Sequence, residues 1–314
     1  MRKIVIIPSF ASSHFLKCWI PNVIDTLEPD IVIINEGLFP EGPENKGHID
    51  SEFRRKWCFD KRIAGFDFEE TENIIQEFRK KYPHTTIWLQ KNGYTLNDTN
   101  QCFLVSISRC DITEFRKSDI IFPLEPDAFL LESDKGIIKE EISKLQPGQG
   151  LKCLWMDFLE TQYYTEAINL EQPKHRRFCY CFDNMENYKK VMDGFMSQSY
   201  PRLQYTDKFF IRHYPWFVFD KWKELRYELI YRSDPQYWKD FENGLQDIRN
   251  ESNSYEENIK YNNDKYFDNS YIPAPYPPKI EIVVRPSRQD SGRYAKFIDI
   301  EHPKAIQSHP NFIK

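Results

Sequence analysis

The sequence predicts an α/β protein with a mostly parallel central sheet flanked by helices. Two β-branched runs, Lys3-Ile-Val-Ile-Ile7 and Asp30-Ile-Val-Ile-Ile-Asn-Glu36, have the near-continuous apolar character of strands buried on both faces. A stretch with helical spacing separates them, which makes a strand–helix–strand unit with a right-handed crossover. A third run, Ile120-Ile-Phe122, ends at Pro123 and leads directly into two carboxylates, Glu125 and Asp127. Open α/β sheets bind ligands beyond the carboxyl ends of their strands, so this last junction is the focus of the functional reading.

The elements follow in order. The first strand, Lys3–Ile7, is closed by Pro8 because proline has no N–H to donate to a ladder. A helix is expected from about His14 to Leu27, with Phe15, Trp19, Val23 and Ile24 on one face, Ser12 or Ser13 as cap, and a kink or break at Pro21. The second strand ends at Asn35 and Glu36, positions where a base or ribose can be held. No Gly-rich fingerprint follows the first strand, so the usual dinucleotide site is excluded. The polar stretch from Phe39 to Gly65 reads as a loop able to cover a ligand. A helix over Phe68–Tyr82 carries basic residues in its last turn, and Thr85–Leu89 is a short strand. Arg109 and Arg116 precede the third strand and are candidate phosphate contacts through the bidentate guanidinium fork.

Glu125 and Asp127 are separated by Pro126. In extended backbone, residues two apart share a side, so both carboxylates can address one hard divalent cation. The run Ala128–Leu131 returns the chain to the core. Asp157, among Trp155, Met156 and Phe158, and Asp183, at the end of the strand-like Phe178–Phe182, are the candidate general bases, since apolar surroundings raise a carboxyl pKa; Glu160 is a lesser one. His213 follows the strand-like Phe209-Phe-Ile211 and is a candidate third metal donor. Helices are expected over Phe219–Tyr231 and about Tyr237–Ile248, and a late strand over Lys279–Val284.

The totals narrow the class. Of 314 residues, 40% are hydrophobic and 16% aromatic, enough for a large core and too apolar for a disordered chain. A net charge of −5 argues against a broad basic face, so nucleic acid is not the favoured partner. Seven cysteines with no C-x-x-C pair read as reduced thiols of a cytoplasmic protein. The amino-terminal apolar run ends at Pro8, too short for a secretory or membrane-spanning segment. Three regions are expected: a main domain over 1–249, a polar and then proline-rich linker or long loop over 250–278, and a carboxy-terminal extension over 279–314 that packs on the domain.

In this order the pieces resemble the GT-A fold nucleotide-sugar glycosyltransferases, in particular the family-2-like branch. The matching stretches are K-I-V-I-I-P-S-F, I-V-I-I-N-E-G and L-E-P-D-A-F-L-L, with Glu125-Pro126-Asp127 in place of the family's D-x-D. His213-Tyr-Pro-Trp216 and His302-Pro303 are similar to later motifs of related sequences. The resemblance implies a GT-A-like (Rossmann-like) fold with a helical, linker-rich carboxy-terminal part. It also implies a hexosyltransferase activity that moves a sugar from a UDP- or GDP-sugar to a glycan or other hydroxyl-bearing acceptor. Donor binding would then fall to the first half of the sheet, at Pro8, Ser9, Asn35 and Glu36. Mn²⁺ or Mg²⁺ would sit on Asp127 with Glu125 and His213. The chain departs from the family pattern at Glu125, which is longer than aspartate, and at Ala128, where an acid is usual. Two other readings share the scaffold. A nucleotidyltransferase would carry a Gly- and basic-rich loop after the first strand, which P-S-F-A-S-S lacks. A non-catalytic carbohydrate-binding or structural protein would keep the fold and the aromatics alone.

Overall fold

A computed structural model describes residues 1–9, 12–36, 68–90, 115–158, 162, 164–166, 174–194, 202–214, 295–297, 300–309 and 312. The expectations for 39–65, Arg109, Glu160, 219–248, 250–278 and 279–284 lie outside these residues.

The chain is α/β. Its order is β1 (Lys3–Ser9), α1 (Ser13–Leu27), β2 (Ile31–Glu36), α2 (Phe68–Lys81), β3 (Thr86–Gln90), β4 (Ile120–Pro123), β5 (Ala128–Phe129), α3 (Lys135–Ser143), β6 (Gly150–Asp157), β7 (Tyr164–Glu166), β8 (Lys174–Cys181), α4 (Met185–Gly194), β9 (Leu203–His213) and β10 (Ala295–Phe297). Eight strands form one sheet in the order β3-β2-β1-β4-β8-β6-β9-β5, and β7 pairs with β10 separately. Alternation along the strands divides the core. Ile4, Ile6, Ile31, Ile33 and Ile121 pack on one side, and Val5, Ile7, Val32, Ile34, Ile120 and Phe122 on the other.

The sheet is mixed, which corrects the expectation of a mostly parallel one. β3, β2, β1 and β4 run parallel, and so do β6 and β9, but β8 is antiparallel to both its neighbours and β5 is antiparallel to β9. Strands buried on both faces read as apolar runs whatever their direction, so periodicity carries no information about polarity. One consequence decides the site. The carboxyl ends of β1, β2, β4, β6 and β9 and the amino end of β8 all meet at the same edge.

Two proline expectations change. Pro8 lies within β1 and pairs in register with Asn35. It is tolerated because β4 ends opposite Ile6, which leaves β1 a neighbour on one side only at that point. Pro21 lies inside α1, which continues to Leu27. Asn22 beside it is buried and grips the backbone of Leu130, donating from Nδ2 to the carbonyl at 2.7 Å and accepting from the N–H at 2.9 Å. That pair ties α1 to the segment leaving β5. Trp155 to Asp157 form the end of strand β6.

Candidate metal centre

The centre is assembled by three strand ends. After β4 the chain turns at Leu124–Asp127, closed by Ala128 N–H donating to the Glu125 carbonyl at 3.1 Å, and returns as β5. β5 places Ala128 opposite His213, and β6 places Asp157 beside the same histidine. Register therefore delivers Asp127, Asp157 and His213 to one point from parts of the chain far apart in sequence.

His213 is buried between carboxylates on both ring nitrogens. Nδ1 lies 2.7 Å from Asp157 Oδ1, while Nε2 lies 3.2 Å from Glu125 Oε2 and 3.3 Å from Asp127 Oδ1. The Trp155 ring meets the imidazole edge-on at 5.2 Å. Two consecutive residues of β8 flank the acids. Arg176 Nη2 donates to Asp157 at 2.7 Å, and Arg177 Nη2 to Glu125 at 3.3 Å. Neighbours in a strand point to opposite faces, so the two arginines reach the centre from the two sides of the sheet. Arg176 also lies over the Trp155 ring, 5.4 Å from its centroid.

Electrostatics follow from this packing. Burial opposes a charged imidazole at His213, yet the carboxylates of Asp127, Asp157 and Glu125 outweigh it and hold the pKa well above the ordinary value. Burial likewise opposes ionisation of Asp157, but its hydrogen bond to His213 and the charge of Arg176 draw its pKa down to about 2. Glu125 is lowered in the same way, with burial overcome by His213, Arg177 and Arg176. A carboxyl held so low is a weak base near neutral pH, so the apolar neighbours expected to raise Asp157 are overruled by two cations that the sequence did not place beside it.

The residues fit a divalent cation. One donor atom from each of Glu125, Asp127 and His213 lies within 4.8 Å of the others. Asp127 Oδ1 and His213 Nε2 are buried and face each other at 3.3 Å, so a cation that replaces the proton between them would find both donors already converged. Two carboxylates and an imidazole suit Mn²⁺, Mg²⁺ or Zn²⁺. A histidine that ligates a metal almost always gives its other ring N–H to a carboxylate, a backbone carbonyl or water, and Asp157 stands on Nδ1 in that place.

Other sequence-predicted positions divide by edge. Ser9, Asn35 and Glu36 end β1 and β2 on the same edge as the centre; all are buried, Ser9 pairs with Glu36 in register, and Ser9 Oγ donates to Glu36 Oε2 at 2.7 Å. Pro8 sits opposite Asn35. Asp183 and Arg116 are at the opposite edge, away from the centre. Asp183 follows the carboxyl end of antiparallel β8, where it accepts hydrogen bonds from Tyr180 Oη, Asn187 Nδ2 and the Asn184 N–H at the start of α4. Gly148 also stands against it: with φ +85° this glycine holds a left-handed turn, and an added Cβ would come 2.9 Å from Asp183 Oδ2. Arg116 lies before β4, its N–H donating to Asp119 at 2.8 Å. Sequence reasoning missed the part played by Arg176 and Arg177. The available signal was two adjacent cations at the start of an apolar strand, a pattern that serves equally well on a solvated surface.

No protein-family description matches the chain, and no curated protein matches it. Solved structures show weak likenesses. S. aureus TarS 1-349 is 8% identical with a TM-score of 0.38 over 73% of this chain and 63% of that one. S. aureus TarS is 8% identical with a TM-score of 0.34, over 73% and 39%. Mannose-6-phosphate isomerase from Helicobacter pylori is 10% identical with a TM-score of 0.34, over 71% and 88%. The chain thus spans less than two thirds of either TarS chain, and likenesses this weak bear on neither fold nor function. No helix among the described residues is long and apolar enough to cross a membrane.

Proposed function

We propose that this chain is a metal-assisted glycosyltransferase that moves a sugar from a nucleotide-diphosphate-sugar to a hydroxyl acceptor. The observation that carries the reading is the buried Asp157–His213 pair, aimed at Glu125 and Asp127 on the strand-end edge of the sheet. In this reading Glu125, Asp127 and His213 hold a divalent cation, which supplies charge stabilisation to a departing diphosphate. Asp157 fixes the His213 ring so that Nε2 faces the two acids. Arg176 and Arg177 offset the remaining negative charge. With His213 neutral, as a ligand must be, the two arginines against the three acids leave one net negative charge, which a divalent cation would convert to one net positive charge, favourable to an anionic donor. Ser9, Asn35 and Glu36, with Pro8, occupy the neighbouring strand ends and are assigned to the donor nucleoside. Transfer breaks the bond between the anomeric carbon and the diphosphate oxygen, forms one to the acceptor oxygen, and releases the acceptor proton.

The test is thermal melting against nucleoside diphosphates and UDP- and GDP-sugars, with and without Mn²⁺, for wild type and Asp127→Ala. Ligands that bind only the folded state raise the midpoint. The expected result is a Mn²⁺-dependent rise with one donor base that disappears in Asp127→Ala, whose own midpoint without ligand stays close to wild type. No rise with any donor, or a rise that survives the substitution, overturns the reading.

A further inference from the structure

His213 ends β9, and its two chain neighbours, Arg212 and Tyr214, both face away from the acids. Arg212 Nε donates to the Glu301 carbonyl at 2.8 Å, and Tyr214 Oη lies 2.7 Å from His302 Nδ1. Alternation explains the arrangement: positions 212 and 214 share one side of the strand, and 213 takes the other. The end of β6 repeats the pattern. Asp157 faces His213, while Phe158 stacks on Tyr214 at 4.9 Å and meets His302 edge-on at 4.9 Å. The backbone links the two sides, since Tyr214 N–H donates to the Asp127 carbonyl at 2.9 Å and Phe158 N–H to the His213 carbonyl at 2.7 Å. The rest of the segment is anchored separately: Lys304 N–H donates to Glu132 Oε1 at 3.0 Å, and Ser308 Oγ lies 3.2 Å from Cys18 Sγ.

We infer that His302 is a positioning residue of the metal centre: through its hydrogen bond to Tyr214 it sets the backbone that carries Asp127 and His213, so the His302–Tyr214 pair is a structural part of the site. This rests on the metal-centre reading above. Tyr214 is fully buried and its hydroxyl needs an acceptor, which His302 Nδ1 supplies. Burial keeps the His302 ring neutral, its pKa lowered to about 4, with the nearby charge of Arg212 acting in the same direction. A neutral ring has one bare nitrogen, which with Nδ1 accepting from Tyr214 leaves the proton on Nε2. Removing either partner breaks this buried hydrogen bond beside the backbone link from Tyr214 to Asp127.

The experiment is calorimetric titration of Mn²⁺ into the full chain, with melting curves of each variant. Tyr214→Phe and His302→Ala are expected to weaken Mn²⁺ binding about 10-fold, the low end of the range for a lost outer partner of a metal ligand, since they act one contact further out. His302→Asn, which keeps an acceptor near the position of Nδ1, is expected to recover most of that loss. Ser308→Ala, in the same segment but remote from Tyr214, is expected to bind as wild type does. If His302→Ala and Tyr214→Phe melt early but bind Mn²⁺ with wild-type affinity, the segment only packs and the inference falls while the metal centre stands. If wild type itself binds no Mn²⁺, the metal-centre reading falls and takes the inference with it. Should His302→Ala fail to fold, Tyr214→Phe, which deletes one oxygen, carries the same decision.

Discussion

Lowering the pH should destabilise this protein through two histidines that join its ends. His14, in the first turn of α1, and His309, in the carboxy-terminal segment, are both buried, with ring centroids 5.4 Å apart; His309 also stacks on Phe15 at 4.8 Å. Burial, together with the charges of His309 and Lys17, lowers the pKa of His14 to about 3, and burial lowers that of His309 to about 4. An unfolded histidine titrates near 6.5. The unfolded chain therefore takes up protons first as pH falls, so the stability these groups confer is complete above about 6.5 and is lost below it. From about pH 7 to about pH 5, each unfolded ring gains roughly 1.9 kcal/mol from proton uptake and each folded ring almost nothing, about 4 kcal/mol for the pair. That is a large share of an ordinary stability of about 5–15 kcal/mol. His213 works the other way, because its folded pKa is raised: its contribution is complete below the unfolded value and declines as pH rises. Comparison with His309→Asn cancels that term. Urea unfolding of metal-free wild type and variant at the two pH values should show the variant losing about 2 kcal/mol less than wild type on acidification. Equal losses in the two proteins would refute the argument, since they would mean that His309 titrates alike folded and unfolded.

Two further substitutions probe the scaffold of the site. Asp157→Asn replaces the carboxylate on His213 Nδ1 and should weaken Mn²⁺ affinity about 10–100-fold with little change in fold, read by titration calorimetry and far-ultraviolet circular dichroism. Asn22→Ala strips both partners from the buried Leu130 backbone and should cost about 1–3 kcal/mol for each group left unsatisfied, read as a lower urea midpoint.

Much of this architecture was legible in the sequence. The apolar runs at Lys3–Ile7 and Ile31–Ile34 became β1 and β2, Phe68–Lys81 became α2, and the run at Ile120 became the strand that delivers Glu125 and Asp127. These are local matters: β-branched runs, helical periodicity and proline act over a few residues, and a chain carries them wherever it folds. Even the choice of His213 as a partner of the two acids was readable as a possibility, because few residue types can ligate a metal beside carboxylates.

Tertiary structure decided the rest, because it depends on pairing between distant segments. The antiparallel insertion of β8 sent Asp183 to the far edge of the sheet and brought Arg176 and Arg177 to the near one. The same register set Asp157 on His213, turning an acid expected to be basic into one held ionised by an imidazole and a guanidinium. Residue types determined which groups can ligate, donate or accept, whereas strand order and direction determined which of them meet. A carboxylate carries its chemistry in its own atoms, but its pKa belongs to the charges that folding places within a few ångströms of it.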